Sequence, residues 1–217
     1  MRDEGQPEVT ADLLLQAYAA GVFPMAERAD TDEIFWIDPK TRGILPLDGL
    51  HMSRSLRKTI RQGAYEVRWD SAFAMTVSAC ANRPETWINE RILKLYDELF
   101  RTGFGHSVEV YMNGRLAGGL YGVAIGSAFF GESMFSLQRD ASKIALVYLV
   151  ARLRTGGFQL LDTQFVTDHL MSLGALEISR ANYHARLARA LPTPANYWAL
   201  RPDAKPDQVL QAITQTS

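Results

Sequence analysis

The stretch HSVEVYMNGRLAGGLYGVAIGSAFFGESMF, residues 106–135, decides the fold. Asn113-Gly114 sits between two runs rich in Val, Tyr and Leu, and that dipeptide suits the tight turn of a two-residue hairpin. Residues 106–112 and 115–125 are therefore expected as antiparallel strands, and 127–135 as a third. Downstream, DASKIALVYLVARLR (140–154) predicts an amphipathic helix capped by Asp140 and stopped by Gly156-Gly157. A strand over 158–162 and helices over 167–173 and 179–191 follow. Pro192 and Pro194 then open an irregular tail.

Upstream, Thr10 can cap a helix over 11–20 that Gly21 ends. IFWIDPKTRGILPL (34–47) carries Pro39, Gly43 and Pro46 and reads as extended pieces joined by turns. Ser53 caps a short helix ending at Gly63, 65–69 alternates like a strand, and helices are expected over 71–81 and 89–101. Helices, antiparallel strands, a long helix and a further strand predict an α+β fold with a mixed sheet. That succession resembles the acetyltransferase-like (GNAT) superfamily. A boundary near Asp38 separates a small N-terminal subdomain (1–38) from the main domain (39–217).

The 217 residues suffice for one sizeable core, and a net charge of −1 excludes global attraction to nucleic acid, leaving local patches. A single cysteine, Cys80, excludes an internal disulfide and a Cys-rich zinc site, and it reads as a small core residue. The acidic start is unlike a signal peptide, and no run reaches the ~18 apolar residues of a membrane span. A cytoplasmic monomer is the expectation. The four histidines lack metal-ligand spacing, and His169 reads as structural.

Chemistry concentrates in two places. Glu132 stands inside the apolar run FFGESMF (129–135), and Asp162 and Gln164 follow the apolar residues 158–161. Burying such groups unpaired costs roughly 2–7 kcal/mol, so each is paired or used. Glu132 suits a cationic group on a substrate; the alternative is a buried ion pair, with Lys143 for example. Asp162 and Gln164, two apart on a strand, leave one face and can share a ligand, or can simply satisfy the next turn. Arg54, Arg57, Lys58 and Arg61 form a basic stripe at helical spacing, fit for phosphates or merely a solvated face. Trp36 and Trp87 offer either stacking platforms or core packing.

The segments LLLQAYAAGVFPM, FWIDPKTRGILPL, LHMSRSLRK, ETWINERI, LAGGLYGVAIGSAFFGESMFS and LLDTQFVTDHLMSLGA, in this order, resemble the leucyl/phenylalanyl-tRNA–protein transferase family. The resemblance runs from about Ala11 to Tyr183. It implies transfer of leucine, less well phenylalanine or methionine, from aminoacyl-tRNA to the α-amine of proteins beginning with Arg or Lys. The product would carry a degradation signal, and no cofactor or metal is implied. Leu120, Met134, Leu146, Leu149 and Leu161 match the family's aminoacyl side-chain pocket. Glu132 would bind the acceptor peptide, and Asp162 and Gln164 would be the catalytic pair. Trp87 and Met25 would meet the terminal adenosine, and Arg54, Arg57, Lys58 and Arg61 the tRNA phosphates. Many members carry Pro-Trp where this chain has Pro24-Met25, which removes one indole platform. Leu120 and Leu149 replace Met and Phe of some relatives and alter the pocket's shape. A CoA-dependent N-acetyltransferase is the rival enzyme, but SLQRDASK (136–143) lacks the glycines that cradle pyrophosphate. A non-catalytic tRNA-binding module is the rival outside catalysis.

Overall fold

The computed structural model describes residues 9–26, 33–83, 86 and 88–214, and Trp87 lies outside them. Helix α1 (Ala11–Ala19) starts where the Thr10 side chain accepts the Leu13 amide, and it buries Leu14 and Tyr18. Strands β1 (Phe23–Met25) and β2 (Phe35–Ile37) form a separate two-stranded sheet in which Met25 pairs with Phe35 and Pro24 with Trp36. Strand β3 (Thr41–Ile44) leads to α2 (Arg54–Gln62), capped by Ser53 and closed by Gly63 in the left-handed region, as its sequence predicts. Then come β4 (Glu66–Trp69), α3 (Phe73–Ala81) and α4 (Glu90–Arg101).

Strands β5 (Gly105–Met112) and β6 (Arg115–Ile125) form the expected hairpin, with positive φ at both Asn113 and Gly114. β7 (Ala128–Ser136), α5 (Ala141–Thr155), β8 (Leu160–Gln164), α6 (Asp168–Ser172), β9 (Leu176–Ser179), α7 (Arg180–Ala190) and α8 (Pro206–Thr214) complete the described chain. The main sheet has seven strands in the order β4-β5-β6-β7-β8-β3-β9. Only β7 and β8 pair in parallel, so the sheet is mixed and the fold is α+β.

Side-chain alternation divides the core between the two sheet faces. Val108, Leu120, Phe129 and Leu161 pack with α5, α2 and α8 on one side. Tyr121, Phe130 and Leu160 pack with α1, α3, α4 and α7 on the other. Each large apolar side chain so buried is worth about 1.5–3 kcal/mol.

Several sequence expectations need correction. Helix α5 is not amphipathic: twelve of its fifteen residues are buried, because the sheet covers one side and α2 and α8 the other. Asp140 does not cap it by side chain; the residue takes a left-handed φ of 65° and its carboxylate lies 3.3 Å from Lys143 Nζ. The tail is not irregular, because Pro206 opens α8 and Val209, Leu210 and Ile213 bury against α5. Proline breaks a helix in its interior but is pre-organised for its first turn. Edge strand β9, with three of its four residues exposed, has no alternating apolar pattern to read.

Candidate active site

The β7–β8 ladder is short. It pairs Ala128 with Leu160, Phe129 with Leu161 and Phe130 with Asp162, and then ends. On its other edge β8 pairs with β3, Asp162 with Ile44 and Gln164 with Gly43, while β7 stays with β6. A cavity of about 320 Å³ opens where the ladder ends. Because the sheet is unpaired at that level, walls come from both of its faces: Leu146 and Leu149 of α5 on one side, Tyr121 and Glu132 on the other.

A bulge sets the two walls. Tyr121 pairs with Ser133 but Gly122 pairs with Gly131, so Glu132 is an extra residue in β7. Gly122 permits this, since a Cβ there would lie 2.3 Å from the Phe130 carbonyl oxygen. The extra residue shifts the phase of the strand. Met134 thereby packs with the α5-side cluster and Phe135 with the opposite one, while both Glu132 and Met134 line the cavity. A regular strand would have sent Glu132 and Met134 to the same face.

The Glu132 carboxylate accepts hydrogen bonds from the hydroxyls of Tyr18 (2.7 Å) and Tyr96 (2.6 Å). The two hydroxyls are also 2.6 Å apart. Gln164 Nε2 approaches Glu132 Oε1 at 3.4 Å. Burial pushes the Glu132 carboxyl up to about 7, against the hydrogen bonds from Tyr96 and Tyr18 that favour its charge. Burial, reinforced by the neighbouring carboxylate, holds both tyrosines well above their usual range, so both remain donors. The ion pair with Lys143 considered from sequence does not form; that lysine pairs with Asp140.

Asp162 is fully buried and does not line the cavity. Its Oδ2 accepts from Arg42 Nη2 (2.6 Å) and the Tyr183 hydroxyl (2.8 Å). Its Oδ1 accepts from Arg42 Nε (3.0 Å) and the Gln164 backbone amide (2.8 Å). Arg42 lies between the rings of Phe23 (4.4 Å) and Tyr183 (4.3 Å) and donates Nη1 to the Gly21 carbonyl (3.0 Å). The Asp162 carboxylate does not reach the cavity, and its bond to the Gln164 amide is the turn-satisfying alternative that the spacing also allowed. Asp162 is saturated by Arg42 and Tyr183 and grips the Gln164 backbone, which adopts a left-handed φ of 55°. Gln164 itself, 7% exposed, lines the cavity. That a non-glycine residue is held there reflects the bond from Asp162.

Of the other positions singled out from sequence, Met25, Leu120, Met134, Leu146, Leu149 and Leu161 all line this cavity. Arg54, Arg57, Lys58 and Arg61 line a separate surface recess on α2, with no carboxylate pairing to any of them among the described residues. Trp36 is exposed on β2, outside the cavity wall. Cys80 is buried and free, as expected, and burial pushes its thiol up to about 12. His169, read as structural, lines the cavity, where burial and then Lys143 hold its ring below the usual range. Among the described residues no three His, Cys, Asp or Glu side chains could hold a metal ion, and no helix is long and apolar enough to cross a membrane.

Sequence reasoning missed Tyr18, Tyr96, Arg42 and Tyr183. Each sits in a segment whose spacing gives only a buried helix face or strand start. The one usable sign was Arg42, a cation immediately before the apolar run 43–45.

Residues 44–188 match the family model described as leucyl/phenylalanyl-tRNA protein transferase, and residues 8–40 match that of its N-terminal domain. The protein named leucyl/phenylalanyl-tRNA–protein transferase from Paramagnetospirillum magneticum is 61% identical over 191 residues, covering 86% of this chain and 91% of that protein. Those of the same name from Ruegeria sp. and Maricaulis maris are 58% and 56% identical, over 96% and 95% of this chain and 99% and 98% of theirs. The chain therefore belongs to the leucyl/phenylalanyl-tRNA protein transferase family and is an aminoacyltransferase acting between aminoacyl-tRNA and protein.

Proposed function

We propose that the cavity between β7 and β8 transfers leucine, and less well phenylalanine or methionine, from its tRNA to proteins beginning with Arg or Lys. The new N-terminal residue then marks the product for degradation. The observation that carries this reading is one carboxylate, Glu132, held by two tyrosines at the edge of a leucine-lined cavity. Leu120, Met134, Leu146, Leu149 and Leu161 take the aminoacyl side chain. Glu132 meets the cationic acceptor. Met25 and Trp87 contribute to binding the terminal adenosine, and the α2 stripe of Arg54, Arg57, Lys58 and Arg61 meets acceptor-stem phosphates. The unpaired stretch beyond the short parallel ladder supports an acetyltransferase-like fold, with a small N-terminal subdomain ending near Asp38. The protein works as a monomer.

The amine attacks the ester carbonyl, a C–N bond forms, and the C–O bond to the ribose breaks. An aminoacyl ester is already activated, so positioning supplies most of the acceleration, with orientation worth up to about 7–11 kcal/mol. Glu132, with its carboxyl pushed up to about 7, is matched to take the ammonium proton near neutral pH. The leaving ribose oxygen ends with a proton. Gln164 hydrogen-bonds the reacting centre. Asp162 does not touch it and acts by fixing the Gln164 backbone.

Labelled leucine should pass from leucyl-tRNA to a peptide beginning with Arg, and not to the same peptide beginning with Glu. Equal labelling of both peptides, or of neither, overturns the reading. Competition among leucyl-, methionyl- and phenylalanyl-tRNA then ranks the donors.

A further inference from the structure

Among the described residues lining the cavity, Arg83 is the only arginine or lysine, as Glu132 is the only carboxylate. Arg83 lies just beyond α3, exposed, and its Nη2 donates to Ser133 Oγ at 2.8 Å. Ser133 is the residue after Glu132 and pairs with Tyr121 at the bulge, so β7 itself tethers the guanidinium. The guanidinium brings five donors in a planar fork, of which Ser133 takes one.

That position is unsuited to the acceptor. A peptide with a cationic first residue and an α-ammonium is drawn to Glu132 and repelled by a neighbouring arginine. It is suited to the donor. In an aminoacyl nucleotide, O3′, C3′, C4′, C5′ and O5′ connect the reacting carbonyl to the phosphorus. With the carbonyl beside Glu132 and Gln164, the phosphate leaves by the cavity's rim. Planar guanidinium pairing with phosphate oxygens is the strongest interaction available there. The α2 stripe lines its own recess and is left for phosphates farther along the strand.

We propose that Arg83 is the phosphate subsite for the 3′-terminal nucleotide of the donor, held in place by Ser133. This rests on the transfer reaction proposed above. The test compares two minimal donors that differ only in the phosphate: the 3′-leucyl ester of adenosine and that of adenosine 5′-monophosphate. The ratio of their kcat/KM values is measured for the wild type, Arg83→Ala, Arg83→Gln and Arg83→Lys. The wild type should prefer the phosphate-bearing donor by about tenfold or more, the worth of one charge-assisted hydrogen bond. The preference should arise in KM, collapse towards unity in Arg83→Ala and Arg83→Gln, and return in part in Arg83→Lys. A wild type without preference overturns the subsite, as does an Arg83→Ala enzyme that keeps it or loses affinity for the acceptor peptide instead. Failure of the wild type to transfer leucine even from intact leucyl-tRNA overturns the reaction itself, a separate outcome.

Discussion

Glu132, half-buried, and Asp162, fully buried, are both carboxylates near the end of β8, yet their surroundings give them different work. Glu132 is bonded by neutral donors and keeps a raised pKa near 7. A raised carboxyl pKa means the folded chain holds this proton more readily than the unfolded chain. Stability from this group is therefore present at low pH and is lost as pH climbs from the ordinary carboxylate range through about 7. Glu132→Gln should remove that slope, seen as a flatter dependence of melting temperature on pH between 5 and 8. It should also abolish a rising limb near pH 7 in kcat/KM, leaving the limb of the acceptor amine at about 7.7–8.0. An unchanged profile in the variant would exclude Glu132 as the proton acceptor. Asp162, by contrast, belongs to a buried ion pair with Arg42. Asp162→Ala strands the guanidinium and should cost about 3–5 kcal/mol in urea unfolding. Replacing both partners, as in Arg42→Met with Asp162→Leu, should recover much of that stability while leaving transfer impaired, because Gln164 loses its backbone anchor. If the double variant transferred at the wild-type rate, the positioning role would fail.

Individual elements differ in how openly the sequence declares them. The hairpin, the capped α2 and the long α5 announce themselves through Asn113-Gly114, Ser53 with Gly63, and an apolar run stopped by Gly156-Gly157. Glu132, Gln164 and the leucine wall were legible as residues, but what brings them together was not. The bulge depends on pairing between β6 and β7, a non-local fact that periodicity within one strand cannot carry. The tyrosines that hold Glu132 come from α1 and α4, distant in sequence, and as sequence they are ordinary apolar-face residues. The partner of Asp162 was not legible, because Arg42 lies 120 positions away. The missed α8 has a predictable role: Leu210 is buried where α8 meets α5. Leu210→Ala should cost about 2–5 kcal/mol on thermal or urea unfolding. Loss below 0.5 kcal/mol would show that α8 is not part of the cooperative core.

For the molecule as a whole, a net charge of −1 conceals an uneven distribution. Four cations share one recess of α2, and α2 rests on α5, whose Leu146 and Leu149 wall the cavity. The basic surface and the chemical site thus hang on one buried helix. Lys58→Ala or Arg61→Ala should weaken binding of any tRNA alike and reduce the slope of log affinity against log salt by about 1, with kcat little changed. A slope equal to that of the wild type would return the stripe to a solvated face. The bulge at Glu132 has a last consequence, for the length of the chain. Along β7, deletion of one residue would mend the ladder and improve the pairing with β6. Met134 would stay opposite Leu120 on the α5 side, but the extra residue, Glu132, would lose the place in which Tyr18 and Tyr96 hold it. The best-paired version of this strand is an inactive one, so the spacing between Gly131 and Met134 tolerates substitution more readily than any gain or loss of a residue.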